Sequence, residues 1–307
     1  MHKIILALTA GLITAAVQPA AAALKVFACE PEWAALAQEL GGGHVDVYAA
    51  TTGLQDPHRI QARPSLIARY RQADLVVCTG AELEIGWLPA LVEKANNPRV
   101  LPGSPGFFEA SRYVRMLEVP VVLDRSQGDV HPYGNPHIQT APDNIAVIAK
   151  ALAVRFAEVD PVNAAWYQQQ HERFSARWSA AMQKWADDAR PLAGITVVSA
   201  HKSWPYLYGW LGMREVATLE PKPGIPPSAS HLAEVLENLK TQQARMIIFA
   251  AYQDRKPADW LAQRTGLPTV ELPYTVGGVE SADDLFKLFD VTLERLLQAA
   301  GVSAGSP

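Results

Sequence analysis

The chain has 307 residues, a formal net charge of −4, 49% hydrophobic residues and 19% charged residues. This length fits one large domain or two ordinary ones, and the hydrophobic content is ample for a packed core. The slightly negative charge excludes the basic profile of proteins that bind nucleic acid or an anionic membrane surface.

The N-terminus has the pattern of a secretory signal. Lys3 precedes an apolar stretch over residues 4–17, and the alanines at 20–23 offer a cleavage site. The stretch is too short for a comfortable membrane span. We predict a cleavable signal peptide over residues 1–23 and export of the mature chain to a periplasm; the alternative is an uncleaved anchor.

The next 70 or so residues alternate between strand and helix patterns. Predicted strands cover 24–29, 45–50 and 74–78, and predicted helices cover 31–40, 64–72 and a third segment that runs through Trp87 to Lys94. Apolar β runs that are bounded by turns and separated by helices indicate a mainly parallel sheet covered on both faces.

The middle of the chain is helical. One pattern over 144–159 ends at Asp160-Pro161, and residues 162–190 contain neither glycine nor proline. The second run predicts one helix about 40 Å long at 1.5 Å per residue. Its aromatic stripe, which we predict to be buried core, consists of Trp166, Phe174, Trp178 and Trp185.

Strand and helix patterns alternate again after Pro191. Predicted strands cover 195–200, 215–219, 246–250 and 269–272, and predicted helices cover 230–241, 257–265 and 282–299. The sequence therefore predicts an α/β fold with two (β/α) lobes, each built on a mainly parallel sheet and joined by one long rigid helix. The predicted boundaries are 24–159 for the first lobe, 160–190 for the linking helix and 191–307 for the second lobe.

Three histidines stand where predicted strands or loops lead into a cleft. His58 follows Asp56-Pro57, His137 follows Asn135-Pro136, and His201 ends the apolar run at 195–200. Ligands of open parallel sheets bind beyond the carboxyl ends of the strands. Neutral imidazole is the commonest ligand of borderline metals such as Zn²⁺. The prolines stiffen two of the approaches, and Asp56 can accept a hydrogen bond from an imidazole N–H.

The chain has two cysteines, Cys29 and Cys78, and each ends a predicted strand. If the two strands are neighbours in a parallel sheet, their ends lie within disulfide reach, and an oxidising compartment permits the bond. The alternative is a pair of buried free thiols.

Six motifs together resemble the metal-binding solute-binding proteins of zinc and manganese ABC importers, over about residues 24–297. The motifs are Asp56-Pro57-His58 with Pro64-Ser65, Gly80-Ala81-Glu82-Leu83-Glu84 before Trp87, Asn135-Pro136-His137, Asp160-Pro161, Ser199-Ala200-His201 with Tyr206, and Pro223-Gly224-Ile225-Pro226-Pro227-Ser228 before a helix. The resemblance implies two lobes, one linking helix and no enzymatic activity.

The resemblance also implies that His58, His137 and His201 bind the metal. Three histidines favour Zn²⁺ over Mn²⁺, because manganese prefers more oxygen ligands. The implied partners are an ABC permease in the inner membrane and a periplasmic zinc chaperone, and the chain is expected to be a monomer.

The fourth metal ligand departs from the family pattern, which has an aspartate in the loop after the last strand. Thr275 aligns with that position, and threonine is a poor neutral ligand for Zn²⁺. Glu280 is the predicted replacement, and a water molecule or His131 are the alternatives.

Three other functions fit parts of the pattern. One is a manganese receptor of the same type. A second is a zinc-dependent hydrolase, because three histidines and a water also form a catalytic zinc site. A third is a receptor for a chelated metal or organic solute, which the aromatic residues near His201 would contact.

Overall fold

The computed structural model describes residues 22–122, 128 and 130–302. The signal-peptide prediction therefore lies almost wholly outside the described residues. Within the described part of the chain, no helix is long and apolar enough to cross a membrane.

The first α/β unit is a four-stranded parallel sheet with the strand order β2-β1-β3-β4. Its elements are β1 (Leu24–Ala28), α1 (Pro31–Gly41), β2 (Val45–Ala49), α2 (Pro64–Gln72), β3 (Leu75–Cys78), α3 (Leu88–Ala95) and β4 (Phe107–Glu109). All four residues of β3 are buried, as expected of a central strand that is covered on both faces.

The second unit repeats this architecture with the order β6-β5-β7-β8, again all parallel. Its elements are β5 (Thr196–Ser199), α6 (Pro205–Leu211), β6 (Arg214–Thr218), α7 (Ala229–Asn238), β7 (Met246–Ala250), α8 (Lys256–Thr265), β8 (Thr269–Leu272) and α9 (Leu285–Ala300). Two parallel sheets with helices confirm the predicted fold class.

Two long helices lie between the sheets in sequence, α4 (Pro142–Val159) and α5 (Ala164–Asp188). The 25 residues of α5 span about 37 Å. Trp178 of α5 contacts both units: its indole N–H donates to the carbonyl of Pro142 at 2.9 Å, and its ring lies 4.9 Å from that of Phe286 in α9. The aromatic stripe of α5 therefore helps hold the two lobes together.

One helix begins later than the sequence predicts. The helix expected to run through Trp87 begins only at Leu88, because residues 81–87 form a run of turns. Gly80, Ala81 and Glu82 in succession have positive φ values of 78°, 52° and 65°, which a right-handed helix cannot contain.

Cys29 and Cys78 form a disulfide. In the parallel pairing of β1 and β3, Ala28 lies opposite Val77, and each cysteine is the next residue along its strand direction. Of the two alternatives that the sequence left open, the structure has the disulfide.

Candidate metal centre

The three histidines converge. Single ligand atoms of His58, His137 and His201 all lie within 4.8 Å of one another. His58 lies in the loop after β2, His137 precedes a short 3-10 turn at Ile138–Thr140, and His201 follows β5. His137 and His201 are buried, at 1% and 6% exposure. The first lobe thus supplies two imidazoles and the second lobe one.

His58 and His137 are each held by a local turn of the same kind. Asp56 Oδ1 accepts hydrogen bonds from the backbone N–H of His58 at 3.0 Å and from its ring Nδ1 at 2.8 Å. Asn135 Oδ1 makes the same two contacts with His137, at 3.0 and 2.7 Å. In each case a proline stands between the acceptor and the histidine, so this Asx-Pro-His turn fixes the backbone and the ring together.

Asn135 is itself fixed by residues from both lobes. Its amide nitrogen donates to the carbonyl of Lys202 and to Glu118, both at 2.9 Å. Because both amide hydrogens are used in this way, the amide oxygen is the atom that faces His137. The hydroxyl of Tyr206 also donates to the carbonyl of Asn135 at 2.8 Å.

His201 is held by a residue that follows the neighbouring strand β6. Its Nδ1 lies 2.6 Å from Glu220 Oε2, which also accepts the backbone N–H of Gly224. Ser199 lies opposite Thr218 in the β5–β6 pairing, and His201 and Glu220 each lie two residues further on. Sequence analysis identified Asp56 as an acceptor but missed Asn135 and Glu220. The repeated Asx-Pro-His pattern could have revealed Asn135. The ends of the predicted strands could have revealed Glu220.

These contacts set the tautomer of the rings. An amide oxygen or ionised carboxylate accepts hydrogen bonds, so in each neutral ring Nδ1 carries the proton and Nε2 keeps its lone pair. Nε2 of His58 and Nε2 of His137 are buried and have no hydrogen-bond partner among the described residues. Buried polar atoms usually have partners, so this arrangement suits a cation held between the rings.

The electrostatics favour a neutral ring at His137. Burial lowers the pKa of His137 well below its usual value, and the neighbouring His201 and His58 lower it further. Burial alone would raise the pKa of Asp56, but the hydrogen bonds from the ring and backbone of His58, together with the nearby charges of His58 and His201, outweigh burial, and the pKa is lowered. An uncharged imidazole beside an ionised acceptor is the state that binds a metal.

A fourth histidine stands beside this group. The ring centroid of His131 lies 5.3 Å from that of His58. Burial, followed by the proximity of His58 and His201, lowers the pKa of His131 to about 3. His131, His137 and His201 line a cavity of about 450 Å³.

The structure does not bring Glu280 to the three histidines. Glu280 is exposed in the loop after β8, where Gly277 N–H donates to the carbonyl of Ala282 at 2.7 Å and Ala282 N–H donates to that of Val279 at 3.0 Å. Thr275, 3% exposed, donates its hydroxyl to Glu32 of α1. The loop is therefore closed on itself and attached to the first lobe at Thr275.

Comparisons with known proteins agree on a family of metal-transport proteins. A family model described as ZnuA, zinc-uptake complex component A, periplasmic, matches residues 26–299. The manganese ABC transporter substrate-binding lipoprotein PsaA of Streptococcus pneumoniae is 20% identical over 283 residues, which cover 90% of this chain and 88% of PsaA.

Solved structures share the fold. A crystal structure of ZnuA superposes with a TM-score of 0.74 at 21% identity, covering 89% of this chain and 98% of that one. The solute-binding protein FpvC of Pseudomonas aeruginosa, in complex with Mn²⁺, superposes with a TM-score of 0.77 at 21% identity, covering 91% and 98%.

Proposed function

The chain belongs to the family described as zinc-uptake complex component A, periplasmic, and on that premise we propose that it captures Zn²⁺ and delivers it to an ABC importer permease. Its relatives are substrate-binding components of ABC metal transporters. The family therefore implies a membrane permease as its partner. It also confirms the prediction that the protein is not an enzyme. The observation that supports the proposal most is the pair of buried, unpartnered Nε2 atoms within the three-histidine group.

Zinc is the cargo, and His58, His137 and His201 are its ligands. Three nitrogen donors suit Zn²⁺, which binds imidazole in tetrahedral sites, better than Mn²⁺, which favours oxygen. PsaA is named for manganese, and FpvC was crystallised with Mn²⁺. The choice of metal therefore rests on the donor set of this chain and on the name of its family.

His131 supplies the fourth ligand in place of Glu280. The lowered pKa of His131 keeps its ring neutral, and its ring is next to that of His58. The carboxylate of Glu280 is exposed in a closed turn. His131 lies outside the group of ligand atoms within 4.8 Å of one another, so to act as a ligand its ring has to turn towards the other three.

The proposed place of action is the periplasm, reached through a cleavable signal peptide over residues 1–23. The protein acts as a monomer and receives zinc from solution or from a periplasmic chaperone. These features rest on the sequence pattern of the N-terminus and on the family.

Zinc titration of the purified mature protein, by competition against a chromogenic chelator, tests the proposal. We expect one tightly bound Zn²⁺ and weaker binding of Mn²⁺. A variant with His58→Ala, His137→Ala and His201→Ala should lose this binding, whereas His171→Ala on α5 should keep it. Unchanged affinity in the triple variant, or stronger binding of Mn²⁺ than of Zn²⁺, would contradict the proposal.

Single variants separate the two candidates for the fourth ligand. His131→Ala should weaken zinc binding by at least about 10-fold, and Glu280→Ala should leave it unchanged. The reverse result would return Glu280 to the site. If neither variant has an effect, the fourth ligand is water.

A further inference from the structure

A second group of potential metal ligands lies at the carboxyl edge of the first sheet. Ligand atoms of Cys29, Cys78 and Glu84 all lie within 4.8 Å of one another, and all three residues are buried. The two sulfurs are joined as a disulfide in this structure. Two thiols and one carboxylate would remain in the same place after reduction of that bond.

Two carboxylates at this edge of the sheet, those of Glu84 and Glu30, are almost completely buried. Glu84 is 2% exposed and accepts the backbone N–H groups of Thr79 at 2.7 Å and Gly80 at 3.1 Å. Glu30 is 1% exposed and accepts the hydroxyl of Thr79 at 3.2 Å. Glu30 Oε1 has no hydrogen-bond partner among the described residues.

Burial raises the pKa of Glu84 to about 7, and burial followed by Glu84 and Glu32 raises that of Glu30 well above its usual range. The charge of Glu84 therefore opposes the ionisation of Glu30. A cation at this place would favour the ionised form of both Glu84 and Glu30.

A cavity leads to this group from the surface. It has a volume of about 700 Å³, and Cys78 and Glu84 both line it. Its apolar wall includes Leu88 and Ile85, and Ile85 is 56% exposed. A small thiol or an ion that enters the cavity therefore comes next to Cys78 and Glu84.

We propose that Cys29, Cys78 and Glu84 form a second metal site, which opens when the disulfide is reduced and binds a thiophilic divalent cation such as Zn²⁺. A dithiol supplies two electrons and two protons: the S–S bond breaks, two thiols form, and the dithiol becomes a cyclic disulfide. The cation then binds both sulfurs as thiolates and releases their two protons to solvent. Glu84 supplies the third ligand.

Cobalt spectroscopy tests this site separately from the histidine centre. The test protein is the mature chain that carries His58→Ala, His137→Ala and His201→Ala. It is reduced with dithiothreitol, freed of excess reductant under anaerobic conditions and titrated with Co²⁺. We expect thiolate-to-cobalt charge-transfer absorption that saturates at one ion per reduced chain and is absent from the oxidised chain. Imidazole ligands do not produce this absorption, so the outcome is independent of the function proposed above.

Three further variants of that test protein assign the ligands. Cys29→Ser with Cys78→Ser should abolish the absorption. Glu84→Gln should retain it but weaken Co²⁺ binding by about 10-fold or more, whereas Glu93→Gln, an exposed residue of the same cavity, should change nothing.

Three results would overturn the proposal. They are a reduced chain without charge-transfer absorption, a reduced chain that has lost its far-UV circular dichroism, and a Glu84→Gln variant with unchanged Co²⁺ affinity.

Discussion

The two lobes share one strand order but hold their histidines by different means. In the first lobe, His58 and His137 are each fixed by an acceptor two residues earlier in the chain. In the second lobe, His201 depends on Glu220, which is 19 residues away and reaches it only when β5 and β6 pair. The geometry of the first two histidines is therefore set by local turns, and that of the third depends on the folded sheet.

The largest expected effect is on the stability of the packing between the two lobes. Trp178 is 1% exposed and contacts α4 on one side and Phe286 of α9 on the other. Trp178→Ala should lower the free energy of unfolding by about 3–5 kcal/mol, because it leaves a large cavity between the lobes. Denaturant unfolding of the metal-free protein, followed by circular dichroism, measures this.

Trp166→Ala is the matched control for that experiment. Trp166 lies on the same helix but is only partly buried, against Gly41 and His44 of the first lobe. Its replacement should cost less. An equal cost for the two variants would mean that Trp178 has no special role between the lobes.

The second prediction compares the two kinds of support directly. Loss of an acceptor behind a metal-binding histidine typically weakens metal binding by about 10–100-fold. Glu220 presents a charged acceptor and Asn135 a neutral one, and hydrogen bonds to charged acceptors are stronger. We expect Glu220→Ala to lie near the upper end of that range and Asn135→Ala near the lower end, measured by zinc competition.

A conservative variant completes this comparison. Glu220→Gln keeps an oxygen acceptor for His201 and should recover part of the lost affinity. A larger effect of Asn135→Ala than of Glu220→Ala would show that the local turn, rather than the sheet contact, limits the site.

The third prediction concerns the contact between Thr275 of the second lobe and Glu32 of the first. Thr275→Val keeps the shape of the side chain but removes the hydroxyl that donates to the buried carboxyl. The expected loss of stability is about 1–2 kcal/mol by denaturant unfolding. In a Glu32→Leu background the same substitution should cost much less, since both polar partners are then gone. Equal costs in the two backgrounds would contradict the role of this hydrogen bond.

The sequence predicted the features that depend on local pattern. Apolar runs at 24–29, 74–78 and 246–250 mark buried strands, and the Asx-Pro-His segments mark two of the three histidines as ligand candidates. The sequence placed Cys29 and Cys78 at the ends of two strands and left the disulfide as one of two alternatives. The structure, in which β1 and β3 pair, has the disulfide. In these cases the relevant partners are a few residues apart or at the ends of neighbouring strands.

The features that sequence analysis missed depend on short elements or distant partners. Strand β4, Phe107–Glu109, has three residues, too few for a periodic pattern. Helix α6, Pro205–Leu211, is apolar and aromatic throughout and has no amphipathic period. The attachment of Thr275 to Glu32 joins residues 243 positions apart, and it accounts for a loop that does not deliver Glu280 to the histidines.

The last prediction is a pH dependence of stability that arises from the burial of the same Glu32 carboxyl. Burial raises the pKa of Glu32 from its ordinary range to about 7 in the folded protein. Since the folded state holds this proton more tightly than the unfolded state, the contribution to stability is complete below the unfolded pKa of about 4.3 and is lost as the pH rises to about 7. His137, whose pKa is lowered, has the opposite dependence, so the wild type alone does not isolate the effect of Glu32.

The difference between the wild type and Glu32→Gln isolates it, because the histidines are common to both proteins. The free energy of unfolding of the metal-free wild type should fall relative to that of Glu32→Gln between about pH 5 and pH 8. Glu93→Gln removes an exposed carboxyl instead of a buried one and is the control for the loss of one acidic group. Parallel pH profiles for the wild type and Glu32→Gln would mean that Glu32 titrates normally. The contact between Thr275 of the second lobe and Glu32 of the first would then make the same contribution to stability throughout this pH range.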